Sequence, residues 1–175
     1  MATALLFGAL MGFLTSSQQI YVSLFNMGAW FPAFFAIGGV VSALGGFANS
    51  QLVTRFGMEK LSHRALWIFA ANSVVVLLVS YLGLMNVWVF LGLSMVWFLS
   101  FNFIMSNFGA LAMMPLGEVA GTAASTQGFL QMVVGAALGA MIGQLFDGST
   151  VPLALGFVVL SVLAGLVVKW GAKVA

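Results

Sequence analysis

The sequence predicts an all-α polytopic membrane protein with six transmembrane helices, and three observations carry that prediction. Hydrophobic residues occupy 63% of the 175 positions, charged residues only 5%, and the mean hydropathy is +1.18. A soluble domain of this length cannot hide so much apolar surface, so a lipid bilayer must be its main solvent. The apolar residues also fall into six runs of about 20, the length that crosses a hydrocarbon core of roughly 30 Å as a helix.

In chain order the spans are 2–25, 29–53, 65–84, 87–108, 119–146 and 151–170. The first has no basic leader and no small-residue cleavage site before its apolar run outgrows a signal peptide, so it reads as a true span. It carries the polar stretch "TSSQQIY", Thr15 to Tyr21, and "NMG" ends it at 26. The second closes on Asn49, Ser50 and Gln51, and the charged break "RFGMEKLSH" follows from Arg55. The third holds Asn72, Ser73 and Ser80 in an otherwise greasy run that stops at "LMN". The fourth contains Asn102, Ser106 and Asn107, and the break "GALAMMPLGE" includes Pro115. The fifth contains Thr122, Ser125, Thr126, Gln127 and Gln131 and ends at "DGSTVP", with Asp147 and Pro152. The sixth has only Ser161 between Val151 and Val168. Proline, glycine or clustered charge supplies a reason to stop a helix at each break.

Charge sets the predicted orientation. Arg55, Lys60 and Arg64 follow span two, Lys169 and Lys173 follow span six, and four crossings place both groups on one side. Short basic loops stay in the cytoplasm, which puts both termini there and Asp147 outside.

Few kinds of chemistry survive this composition. No cysteine is present, which excludes disulfides, thiolate metal sites and a cysteine nucleophile. His63 is the one histidine and has no partner at ligand spacing, so it reads as a solvated residue of the charged loop. No carboxylate or histidine is expected at mid-membrane depth, since Glu59, Glu118 and Asp147 all lie in or beside breaks. The glycines follow helix spacing rather than a phosphate cradle, and a net charge of +2 is too small for a nucleic-acid surface. The chain therefore reads as neither an enzyme nor a nucleic-acid binder, with no cofactor and no metal.

What remains is polarity inside the spans. Amides at membrane depth must find partners in protein or water. Spans one, two, four and five are wetter than three and six, so the four are expected to border a cavity, with Gln18, Gln19, Asn102, Asn107, Gln127 and Gln131 as its lining amides. The competing expectation for any single amide is that it knits helices together for about 0.6 kcal/mol. Gly135, Gly139 and Gly143, four apart in "GAALGAMIG", suit the close approach of two helix backbones. Eleven methionines and seventeen phenylalanines offer adaptable surface.

Three stretches resemble the drug/proton antiporters of the bicyclomycin-resistance type within the major facilitator superfamily. "NSQLVTRFG" (Asn49 to Gly57) is similar to the loop after the family's eighth helix, "AGTAAST" with Gly128 to the start of its eleventh, and "FDGSTVPLALGF" (Phe146 to Phe157) to its last outer loop and twelfth helix. The family's loop signature G-x-x-x-D-R-x-G-R-R persists only as Arg55 and Gly57, with Thr54 at the acidic position and Glu59 and Lys60 after it.

The resemblance covers nearly the whole chain and implies the carboxy-terminal six-helix half of a multidrug efflux transporter of the bacterial inner membrane. It further implies a small amphipathic drug-like substrate exchanged for protons, and a cavity lined by the helices corresponding to spans one, two, four and five. Arg55, Gly57 and Lys60 then form a worn copy of the cytoplasmic loop motif, and the proton-coupling carboxylate lies in the other half. Such transporters rock two halves about a midplane site, so this chain needs an amino-terminal half, a second copy of itself, or a longer parent chain. A free-standing homodimer and a non-transporting membrane scaffold are the alternatives.

Overall fold

A computed structural model describes residues 1–174, with only the backbone described for Glu118 and residues 172–174. It contains six long helices: α1 (Ala2–Gln19), α2 (Phe31–Phe56), α3 (Met58–Tyr81), α4 (Val87–Met113), α5 (Ala120–Gln144) and α6 (Val151–Val174). A π-helical turn at Ile20–Leu24 prolongs α1, a 3₁₀ turn at Gly28–Trp30 leads into α2, and another at Met114–Val119 joins α4 to α5. All six helical segments are long and apolar enough to cross a membrane, which makes this an all-α polytopic membrane protein.

Most helix ends differ from the expected spans by a few residues, and the start of α3 and the end of α4 differ most. The charged stretch is not a loop: Gly57 alone separates α2 from α3, with φ 80° and ψ 153°, a conformation that favours glycine. Arg55 closes α2 and Glu59 opens α3, each placed favourably for its helix dipole. Charge marks where a helix leaves the hydrocarbon; it does not oblige the helix to end. The fourth helix likewise runs on to Met113, because Gly109 does not interrupt the backbone ladder, whereas Pro115 has no N–H to extend it.

The other junctions are closed by local hydrogen bonds. Asn86 caps α4, its side-chain oxygen accepting from the N–H groups of Trp88 at 3.0 Å and Val89 at 3.1 Å. Before α6 the Asp147 carboxylate accepts from the Ser149 N–H at 2.9 Å and the Ser149 hydroxyl at 2.7 Å. Ser149 in turn accepts from the Val151 N–H at 3.1 Å. These bonds hold the Asp147 carboxyl below the ordinary carboxylate range, the Ser149 hydroxyl being the main cause.

The packing is centred on α1 and α4. Helix α1 lies chiefly against α5 and also against α6; α4 lies against α3 and α2; and α3 packs on α6. Phe13 of α1 meets Phe90, Trp97 and Phe98 of α4, while Tyr21 stacks on Phe34 and meets Phe90 edge-on. Phe157 of α6 sits 4.0 Å from the Trp97 ring and stacks on Phe69 of α3. Helices α2 and α5 are the flanks: 17% of each spanning window is buried, against 50% for the first span. One side of the molecule is therefore α2, α4, α1 and α5, with α3 and α6 behind.

Candidate functional site

The contact between α1 and α5 is built from glycines on both helices. A Cβ at Gly135 would lie 2.5 Å from the Phe7 ring, one at Gly143 would lie 2.7 Å from the Thr15 hydroxyl, and one at Gly139 would collide with Met11. Reciprocally, a Cβ at Gly8 would lie 2.9 Å from Leu138 and one at Gly12 would lie 2.8 Å from Ile142. Residues 7, 11 and 15 thus meet 135, 139 and 143 in constant register, so the two helices run parallel with backbones nearly touching. The Thr15 hydroxyl crosses the seam, donating to the Gly139 carbonyl at 3.0 Å while also lying 3.0 Å from the Met11 carbonyl. Gly8 and Gly12 lie in "GALMG", which carries the same spacing of four as the glycines of α5.

The seam between α2 and α4 uses amides. Asn102 donates to the Ser42 hydroxyl at 2.7 Å and to the Phe98 carbonyl at 2.9 Å. Asn107 donates to the Asn49 side-chain oxygen at 2.7 Å and to the Phe103 carbonyl at 2.7 Å. Asn49 and Asn107 are both buried. Two of the six amides expected to line a cavity therefore fasten α2 to α4. An amide that uses both donor hydrogens in this way keeps only its oxygen, as an acceptor, for a ligand.

The other four amides divide between the two ends of the α1–α5 pair. Gln127 and Gln131, both half-buried, line a hollow of about 490 Å³ together with Thr3, Thr122, Thr126 and Met113. Gln19 lines a second hollow, of about 360 Å³, with Thr15 and Gln144. Gln131 and Gln144 are separated by about 20 Å along α5 at the ordinary helical rise, so the amides do not converge on one point. Gln18 is exposed on α1, as are Thr15 beside it and Ser106 on α4. The larger hollow has the volume of a small-molecule site and a mixed lining of methyl, hydroxyl and amide groups.

The charged motif lies at one end of the bundle. Arg55, Gly57 and Lys60 are exposed. His63 is not a solvated loop residue: it stands in the second turn of α3, its Nδ1 lies 2.7 Å from the Glu59 carbonyl, and its ring meets Phe108 edge-on at 5.7 Å. No group of three or more histidine or carboxylate side chains suited to a metal occurs among the described residues. The Glu118 side chain and Lys173, both named in the sequence reading, fall outside the described side chains.

Fold and composition define a multi-pass membrane protein of six helices. Over 168 residues the chain is 29% identical to the bicyclomycin resistance protein homolog of Haemophilus influenzae, an alignment covering 93% of this chain. It spans only 42% of the length of that relative. No family model matches the chain, and no solved structure does.

Proposed function

We propose that the chain forms one six-helix half, corresponding to the carboxy-terminal half, of a drug efflux transporter of the major facilitator type. In this reading it lies in the bacterial inner membrane with both termini in the cytoplasm and exports small amphipathic compounds in exchange for protons. A second six-helix unit, either an amino-terminal half or another copy, completes the pathway. The observation that carries the proposal is the asymmetry of the bundle. Helices α3 and α6 close its back, the flanking helices α2 and α5 are thinly covered, and the side running from α2 across α4 and α1 to α5 bears exposed Gln18 and Ser106 and half-buried Gln127 and Gln131. Alignment with under half of a resistance protein's length supports the same reading.

The residues suggest a division of labour. The Gly135, Gly139 and Gly143 seam makes α1 and α5 one stiff unit, and the Asn102 and Asn107 bonds do the same for α2 and α4, so the half can rock as a body. Gln127 and Gln131, with Thr122 and Thr126, offer donors and acceptors to varied ligands without the desolvation cost of a charge. Among the described side chains no carboxylate lies midway along a helix: Glu59 opens α3 and Asp147 lies between α5 and α6. Proton coupling is accordingly assigned to the partner half.

The test is a resistance assay in the complete transporter carrying Gln127→Ala and Gln131→Ala together, with Asn49→Ala as a packing control. The expected result is a changed drug profile at unchanged protein level for the glutamine pair. Resistance to every compound at the wild-type level would refute the assignment of this hollow.

A further inference from the structure

Away from the α1–α5 seam, a groove of about 230 Å³ runs between α3 and α6. The two helices are tied at one end, where the Ser80 and Thr150 hydroxyls lie 2.6 Å apart, and the groove occupies the other. His63 and Lys169 line it at one end, and its apolar lining continues along Leu66, Ala70, Val162 and Leu166. From His63 to Ala70 it extends about 10 Å at the helical rise, roughly two-thirds of one leaflet's hydrocarbon depth. Trp67 and Trp170 flank the His63 end and are 70% and 69% exposed, the amphipathic rings expected where hydrocarbon gives way to headgroups.

Charge at this end is one-sided. Arg55, Lys60, Arg64 and Lys169 are all exposed here, and Glu59 is the one acidic side chain described among them. A groove that is cationic at the interface and apolar below it complements a molecule with an anionic head and a hydrocarbon tail lying along the membrane normal.

We propose that the α3–α6 groove is a binding site for an anionic glycerophospholipid of the leaflet facing the Arg55 end. Lys169 meets the phosphate, and one acyl chain lies along Leu66, Ala70 and Val162. A basic pocket between membrane helices on the positively charged side is a recurrent way to hold such headgroups. Gly165 contributes by absence: a Cβ there would meet nothing within 4 Å, so the groove is open where the chain would pass. The inference is independent of the transport reading, since it concerns the opposite side of the bundle.

The experiment is native mass spectrometry of the full chain in mild detergent. It is titrated with phosphatidylglycerol or with phosphatidylcholine bearing the same acyl chains, and helicity is recorded for each variant. Phosphatidylglycerol should bind in preference. Lys169→Gln should weaken it about fivefold, the worth of one cation near a headgroup, and leave phosphatidylcholine unchanged. Gly165→Phe, which fills the groove, should weaken both lipids; if it does not fold, Val162→Trp takes its place. Lys60→Gln, outside the groove, should weaken phosphatidylglycerol less than Lys169→Gln does. Equal retention of the two lipids, an unchanged Lys169→Gln, or a Lys60→Gln loss as large as that of Lys169→Gln would each overturn the site.

Discussion

Substitution of Gly139 by alanine tests the α1–α5 seam most sharply. A methyl at that position would lie 2.8 Å from the Met11 carbonyl carbon and 3.0 Å from the Gly12 nitrogen. Both are backbone atoms, so no rotamer change relieves the clash. Carbon atoms rest comfortably at about 3.5–4.0 Å, and α5 must retreat by roughly 1 Å. A gap of that size forfeits about a quarter to a half of the dispersion well of each contact along the seam. It also stretches the 3.0 Å bond from Thr15 to the Gly139 carbonyl, worth about 0.6 kcal/mol in a membrane. Overpacking of a close-fitted contact costs about 1–3 kcal/mol, so the expected loss is about 2–3 kcal/mol. Reversible unfolding in mixed micelles measures it directly. Gly128 is the matched control, because a Cβ there meets nothing within 4 Å; alanine should be neutral, or stabilising by up to about 1 kcal/mol through helix propensity. A Gly139→Ala protein as stable as Gly128→Ala would refute the backbone-contact argument.

Further outcomes are expected elsewhere. In a double-mutant cycle on Asn49 and Asn107, whose side chains are 2.7 Å apart and buried, unfolding should show a coupling of about 0.6–1.7 kcal/mol, and additive single effects would remove the proposed fastening of α2 to α4. Cysteines replacing the exposed Lys60 and Leu84 should be labelled from opposite sides of the membrane, the former from the cytoplasm. Labelling of both from one side would end the alternating six-span topology. For Asp147 the folded pKa lies below its unfolded value, so its small contribution is present above the usual carboxylate range, near pH 4, and is lost as pH falls through the folded value. A carboxyl-carbon NMR titration should find Asp147 below its ordinary range, and Ser149→Ala should move it back up; no response to Ser149→Ala would exclude the hydroxyl as the cause.

The sequence alone determined the number of helices and most of their stops, because spanning a bilayer is a local property of about 20 consecutive apolar residues. It also placed the charge, yet misjudged its effect: Arg55 and His63 ride on helices, since a helix can project beyond the hydrocarbon and only Gly57 turns the chain there. The glycine seam was half legible, through Gly135, Gly139 and Gly143, while their counterparts Gly8 and Gly12 carried the same spacing unread. Only tertiary structure decided the fate of each amide. Asn102 and Asn107 fasten to Ser42 and Asn49, whereas Gln127 and Gln131 border a hollow, and the presence of an amide in an apolar run does not itself say which neighbour it will meet. A helix that is apolar all round has no single face marked for burial. Its rotation is set by which neighbour packs closest, and therefore by small residues and crossing geometry elsewhere in the bundle.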